Sequence, residues 1–532
     1  MNGHFFSIPR QIGSHIKKHW FIVLFFVLLT IFRMSLITKG HLSESDEFRY
    51  LNALYFWVDV FHGRYLQAIE YFFRVGARPG FVLVSLFPSL LQIVFTHFNL
   101  ISPAHLNFFD LPSFFNVLVT VANGIIFYGI LNLLVLDRSI AAAGTIVYSF
   151  LVNTNVYIRH LYPFDDSLLC FFIVIFLILS AGSRNFRYAA ICGALSALGC
   201  LIYPGYYSLA LVVTVFLAVF VRFDVKALVP YLTSFLYVIL GFELLSKMAG
   251  GVSYFSDCWA VSQVINHGSF AEGFLFITRY LTQVEGLIGA ALLLLFLIYL
   301  GYFLPKDRSP CKWLLMAAVA MYSVHAILGL LFFKMVFYGR ALHMYFPFLV
   351  LASARVLSFF PQQKWRRTAT MILLGCSAVS FVQFAHTYTR LSYPTDVYFE
   401  YLKRVPVNKV LFLQSGDKVD PAEYRNYSAV ALNFVPFFDV KQGYADIVPP
   451  PHMALVVDKP NPLNFSFYTF ENYAPRERSL LKERKYPMRI YVDPYKRQTL
   501  DDSRVPCWER FYDWAHPGHG VFTPLGHDQF RF

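Results

Sequence analysis

Three segments of the chain gather residue types that could take a proton and hold an anion. The first reads His41-Leu-Ser-Glu44-Ser-Asp46-Glu47-Phe-Arg49-Tyr50-Leu-Asn52, with three carboxylates inside four residues. A carboxylate placed against a hydroxyl acts as a general base, a role that contributes about 10²–10⁴ in rate. The same residues also read as an ordinary helix start, capped by Ser45, with Asp46 and Glu47 favoured by the helix dipole. The second segment, Tyr157-Ile-Arg159-His160-Leu-Tyr162-Pro-Phe-Asp165-Asp166, sets a cation and two carboxylates between apolar runs, where charge is costly unless paired or solvated. A structural ion pair of Arg159 with Asp165 or Asp166 is the simpler alternative there. The third, Lys334-Met-Val-Phe-Tyr338-Gly-Arg340-Ala-Leu-His343, puts Arg340 and His343 one helical turn apart. A guanidinium holds phosphate through a fixed fork of donors; an arginine that only snorkels to an interface needs no ligand at all.

The elements that must position these residues are set by composition. Of 532 residues, 57% are hydrophobic and 14% charged, against roughly 25% charged in a soluble globular chain. The average covers two unlike parts. Residues 387–532 hold 19 of the 45 basic and 17 of the 32 acidic residues, and 15 of the 27 prolines, which is a soluble composition. Residues 1–386 hold the other 26 basic and 15 acidic residues, less than half the charge density of the tail. A polytopic α-helical membrane protein with a water-soluble tail follows, and a soluble enzyme, a disordered chain and a disulfide scaffold are excluded. The net charge of +13 sits mainly in the membrane part, as the positive-inside rule requires, so nucleic acid is not an expected partner. The seven cysteines form no CxxC pattern; Cys258 and Cys507 are the two that could pair in outer segments.

A crossing helix needs about 20 apolar residues. Apolar runs of that kind lie at 19–38, 113–134, 139–155, 167–182, 188–204, 207–221, 228–246, 284–304, 313–333, 341–360 and 368–386. A further run, 81–95, is short and carries Pro88 and Gln92. The basic short connections are Arg184/Arg187, Arg222/Lys226, Lys306/Arg308/Lys312 and Lys364/Arg366/Arg367. Leaving 81–95 out of the count puts all four inside, together with Arg10, Lys17 and Lys18; counting it as a crossing puts all four outside. The expectation is therefore 11 spans, with 81–95 lying in the interface. On that count the first outer loop is 39–112, and all three chemical segments and the tail face outward.

An uncleaved first helix, the acidic pair Asp46-Glu47 just beyond it, surface helices and Arg78-Pro79 together resemble the GT-C glycosyltransferases. So do Arg159…Asp165-Asp166 and the late helix GRALHMYFPFLVLASARVL (Gly339–Leu357). The resemblance covers roughly residues 15–386 and is nearest to the protein-mannosyltransferase and aminoarabinose-transferase branch. It implies transfer of a sugar from a polyprenyl-phosphate donor to a glycan, lipid or protein acceptor at the extracytoplasmic surface. By the same resemblance Asp46, with Glu47 beside it, is the base. Asp165, Asp166 and Tyr50 then serve the acceptor, and Arg340, with Arg159, His343, Lys334 and Arg78, the donor phosphate. Metal dependence differs across these families, which leaves a divalent metal open. No nucleotide-binding glycine fingerprint appears, in keeping with a lipid-linked sugar.

In the tail, Lys409–Gln414, Met453–Asp458 and Met488–Asp493 read as short buried strands between proline breakers, which predicts a small α/β or α+β domain. A transporter or lipid flippase would place its ionisable residues near the bilayer midplane and show broken, repeated helices. A non-catalytic cell-envelope assembly protein would not need carboxylates on two loops meeting cations on a third. Short inner loops favour a bacterial inner membrane, with the endoplasmic reticulum as the alternative.

Overall fold

The computed structural model describes residues 8–41, 45–73, 78–101, 106–181, 186–249, 253–267, 274–332 and 339–391, and five strands between 409 and 499. The helices are α1 (Ile8–Met34), α2 (Leu51–Phe61), α3 (Tyr65–Phe73), α4 (Pro79–His97), α5 (Asp110–Val135) and α6 (Arg138–Phe150). They continue as α7 (Val152–Asn155), α8 (Phe164–Ala181), α9 (Phe186–Ile202), α10 (Tyr207–Phe220), α11 (Val225–Met248) and α12 (Tyr254–His267). The last are α13 (Leu275–Gln283), α14 (Leu287–Ile298), α15 (Pro310–Phe332), α16 (Gly339–Leu342), α17 (Phe346–Ser358) and α18 (Gln363–Tyr388). Among the described residues five helices are long and apolar enough to cross a membrane: α4, α5, α11, α15 and α18. The chain is a multi-pass integral membrane protein.

The surface agrees with that solvent. Trp20, Phe21, Leu24, Leu28 and Ile31 on α1, Leu236, Leu240 and Leu244 on α11, and Met371, Ile372 and Val382 on α18 are all exposed. Faces of this kind are tolerated where lipid covers them. Inside, one continuous apolar core runs from Ile22 to Leu391 and joins nearly every long helix. Close approach is bought locally by glycine: a Cβ on Gly193 of α9 would run into the Tyr231 carbonyl of α11.

Successive long helices run in alternation between two ends of the bundle. At one end lie Arg33, Asp110, the 151–165 segment, Tyr203, Glu285, His343 and Tyr388, which bond or pack against one another. At the opposite end lie the short turns 136–137, 221–224, 304–309 and 359–362. Helix α4 is long enough to cross, and it meets the first of these ends at two points. Gly80 packs on the backbone of Leu201 and Ile202, and Gln92 Nε2 donates to the Phe108 carbonyl at 2.9 Å. Helix α2 packs along it, and Trp57 Nε1 donates to the Leu86 carbonyl at 2.8 Å.

The sequence reading of 139–155 as one helix needs correction. The helix breaks at Leu151, which adopts φ −59° and ψ 141°, and α7 starts anew with Val152. The amide protons freed by the break go to Glu285, far along the chain. Likewise the expected 341–360 run begins as a helix only at Phe346, after α16 and a turn, with Pro347 in the first helical turn.

In the tail the described strands are β1 (Lys409–Gln414), β2 (Asp439–Tyr444), β3 (Ala454–Asp458), β4 (Met488–Asp493) and β5 (Lys496–Thr499), in the order β2-β1-β3-β4-β5. β1 pairs in parallel with β2 and β3, while β3–β4 and β4–β5 are antiparallel. The three apolar runs expected as strands are strands. β2 and β5 are too polar (Asp-Val-Lys-Gln-Gly-Tyr and Lys-Arg-Gln-Thr) to be read from hydrophobicity. Cys507 lies outside the described residues.

Candidate functional site

The site forms where the first loop, the 151–165 segment and the 339–345 segment meet. The first loop enters as a 3-10 turn, Ser45–Tyr50, whose anchor is Glu47. Its carboxylate is fully buried; Oε1 accepts the Leu161 amide proton at 3.0 Å and Oε2 lies 3.2 Å from His160 Nδ1. A buried carboxylate is tolerable only with such partners. Tyr50, also buried, donates from its hydroxyl to Gln92 Oε1 at 2.6 Å, which fastens the turn to α4. Upstream, His41 Nε2 lies 2.6 Å from Asp110 Oδ1 and fastens the end of α1 to the start of α5.

The second segment is held from behind by α5. Asn116 Nδ2 faces the carbonyls of Tyr157, Ile158 and His160, at 2.8 Å from the last. Arg159 is buried, with its guanidinium over the Tyr388 ring at 3.9 Å. Its Nε donates to the Leu36 carbonyl at 2.5 Å and its Nη1 to the Tyr388 carbonyl at 2.7 Å. Neither Asp165 nor Asp166 is the partner it uses in these bonds. Asp165, at the start of α8, is buried; its Oδ1 accepts from Asn123 Nδ2 at 3.1 Å and lies 3.2 Å from His343 Nε2. Asp166, one position on, is half-buried.

The third segment is fixed through His343, which is fully buried between two partners: Asp165 on Nε2, and Asn153 Oδ1 on Nδ1 at 2.7 Å. Arg340 lies in α16, one turn before it; the side chains of Arg340 and Asp46 lie outside the described residues, as does Lys334 altogether. Arg78 stands at the start of α4, half-buried, with its guanidinium 5.0 Å from the centroid of the Tyr203 ring. The three loops thus meet through buried polar contacts at one end of the bundle, and Glu47, Tyr50, Arg159, Asp165 and His343 all belong to the frame that joins them.

Sequence reasoning missed several members of that frame. Arg33 is buried in the last turn of α1, and donates from Nε to Asn155 Oδ1 at 2.9 Å and from Nη2 to the Ser149 carbonyl at 3.1 Å. Asn153 Nδ2 donates to the Tyr280 hydroxyl at 2.9 Å. Glu285 is buried and accepts the amide protons of Val152 at 2.8 Å and Asn153 at 2.9 Å. The corner that carries Glu285 is glycine-dependent: Gly286 has φ +65°, and a Cβ on Gly289 would run into the Leu281 carbonyl. A signal was available for each: an arginine and a glutamate at the edges of apolar runs, and Asn153-Thr-Asn155 inside one, are the polar groups that a membrane protein retains for a reason.

Among the described residues no group of three His, Cys, Asp or Glu side chains is arranged to hold a metal ion. Close in sequence to each of the anchored residues Glu47, Asp165 and His343 stands a residue of catalytic type. Asp46 precedes Glu47, Asp166 follows Asp165, and Arg340 is one turn before His343. Comparison of the chain with protein-family models gives no match, and comparison with curated proteins gives none either.

Proposed function

We propose that the protein is an integral-membrane glycosyltransferase of GT-C type that moves a sugar, with inversion, from a polyprenyl-phosphate donor to a glycan, lipid or protein acceptor. The observation that carries this reading is the pairing of each reactive candidate with a buried anchor. Glu47, Asp165 and His343 lock three distant loops into one frame, and Asp46, Asp166 and Arg340 are spaced along the chain to ride on it. Asp46 takes the proton of the acceptor group as its oxygen or nitrogen attacks the anomeric carbon. The carbon–oxygen bond to phosphate breaks, and the polyprenyl phosphate leaves with the electron pair, its charge met by Arg340. The donor's chain stays in lipid throughout, which is why the site belongs at a bilayer surface.

The topology that goes with this reading has 11 crossings, α4 in the outer interface, the membrane part at 1–386 and an outer domain at 387–532. An inner bacterial membrane suits it, with the endoplasmic reticulum as the alternative. Cysteines placed at the exposed positions Arg64 and Asn99, on either side of α4, should then label from the same outer side, and one at Arg308 from the inside. Labelling of Arg64 and Asn99 from opposite sides would make α4 a crossing and reverse every segment after it. The reaction itself is tested with purified protein, a panel of radiolabelled polyprenyl-phosphate sugars and envelope acceptors. Asp46→Asn should leave donor binding intact and lower turnover by about 10²–10⁴. Near-parental turnover in that variant would remove Asp46 as the base, and a parent inactive on every donor would remove the reading.

A further inference from the structure

We infer that Glu285 is a positioning residue for transfer, acting through Asn153 and His343 on the segment that carries Arg340. The chain breaks its helix at Leu151, and the break creates two buried amide donors, Val152 and Asn153, with no carbonyl one turn back to receive them. Glu285 offers one carboxylate oxygen to each, at 2.8 and 2.9 Å, across 133 and 132 residues of sequence. The same corner supplies the Tyr280 hydroxyl to the Asn153 side chain at 2.9 Å. Asn153 is therefore gripped at backbone and side chain at once, and its remaining amide oxygen is the atom that meets His343 Nδ1 at 2.7 Å. His343 in turn reaches Asp165 at 3.2 Å. The link from α13 to α14 thus sets the height and rotation of a histidine on the third loop and, through it, of the acid on the second. Every member of the relay is buried to 1% exposure or less.

The chemistry of the relay makes a specific demand. Two amide donors need two acceptor oxygens, which a carboxylate has and a carboxamide lacks, since half of a glutamine head group is itself a donor. Glu285→Gln keeps the volume and breaks one contact; Glu285→Asp keeps both acceptors on a shorter stem; Asn153→Ala leaves the Glu285 cap on the backbone in place and cuts the links to His343 and to the Tyr280 hydroxyl. A role in transfer presupposes the glycosyltransferase reading; the contact with His343 does not, and the two are measured separately.

The first measurement is ethoxyformylation of histidines in the full-length protein in detergent, read by mass spectrometry. His62 is exposed and serves as the internal standard; His343 and His160 are both fully buried. In Glu285→Gln and in Asn153→Ala the modification of His343 should rise by about tenfold, the change in local opening expected from one lost buried hydrogen bond, while His160 stays protected. Glu285→Asp should lie nearer the parent than Glu285→Gln. Protection of His343 in both Glu285→Gln and Asn153→Ala would overturn the relay, and so would equal exposure of His160 and His343, which is general loosening. The second measurement is transfer: KM for the polyprenyl-phosphate donor should rise about tenfold in Asn153→Ala with turnover at saturating donor within about threefold, as displacement of a binding group predicts. An exposed His343 with parental KM would overturn the role in transfer. A parent without transfer activity would sink the reaction, and the histidine labelling would still decide the relay.

Discussion

The two ends of the helix bundle use the same polar residues to opposite purposes. At the end of the short turns, polar side chains finish the helices that they begin: Asp137 accepts the amide protons of Ser139 and Ile140, two and three residues on, and Asp224 accepts that of Lys226. At the other end the bonds that join the loops are long-range. Glu47 reaches Leu161, Glu285 reaches Val152, and Arg159 reaches Tyr388, each across more than a hundred residues. A cap that serves its own helix needs no other loop to be in place. A frame made of long-range contacts exists only when the whole bundle has assembled, and three loops held that way keep a fixed geometry. The turn end is not wholly local, since Arg355 Nη1 donates to the Leu134 carbonyl at 3.3 Å, but its helix caps are.

The largest expected effect falls on the site side of that contrast. Arg340→Ala should abolish measurable transfer and Arg340→Lys should leave a small remainder, because an ammonium reproduces only part of the bidentate fork. Both variants should melt at the parental temperature without donor. Added polyprenyl phosphate should raise the midpoint of the parent by mass action and not that of Arg340→Ala. An equal rise in both would take Arg340 out of the donor site.

This contrast also explains what the sequence could tell. Apolar runs flanked by basic turns are local, so the run of crossing candidates and the caps at Asp137 and Asp224 stand in the chain in plain form. The three chemical segments were found because each carries its charges within ten residues or so. What could not be read was the partner. Nothing near Val152 announces that its amide proton goes to Glu285, and the broken helix at Leu151 looks like one continuous apolar run until that acceptor is known. Arg159 is the instructive case. Beside Asp165 and Asp166 it suggests an ion pair or a phosphate ligand, and nothing in its neighbourhood in the sequence points to the bonds it makes with the Leu36 and Tyr388 carbonyls over the Tyr388 ring. The strands β2 and β5 were missed for a related reason: their pairing is set by neighbours, not by their own hydrophobicity.

A smaller effect, and of the other kind, is expected at the turn end. Asp307 is buried and receives Arg355 through Nη2 at 2.7 Å and Nε at 3.1 Å, along with the Tyr299 hydroxyl at 2.9 Å. Burial alone would push its carboxyl up; the Arg355 and Ser309 hydrogen bonds outweigh it and hold the carboxyl below the usual carboxylate range. Asp307→Asn should cost about 3 kcal/mol, because it leaves a largely buried guanidinium short of its partner. A carboxylate with a lowered folded-state pKa contributes its stability above the unfolded value of about 3.9, and loses it as pH falls through the folded value. The gap in midpoint between parent and Asp307→Asn should therefore be steady from neutral pH downward and close only below about pH 4. KM and turnover should stay parental. A change in either would mean that the turn end communicates with the site.

The smallest effect tests whether the local contacts at the turn end are as independent as they look. Asp137 does two things at once: Oδ1 caps α6 through Ser139 and Ile140 at 3.0 and 3.3 Å, and Oδ2 lies 3.4 Å from Arg366 Nη1 on α18. The ion pair is partly exposed and by itself is worth about 0–1 kcal/mol, whereas loss of a cap costs about 1 kcal/mol. Asp137→Asn keeps an oxygen to accept the amide protons and removes only the charge. Asp137→Ala removes both, so the difference between the two variants isolates the cap. Asparagine should sit close to the parent in melting temperature and alanine about 1 kcal/mol below it, with transfer unchanged in both. If asparagine instead falls as far as alanine, the bond to Arg366 outweighs the cap, and the join between α6 and α18 at this end is a long-range contact of the kind found at the other.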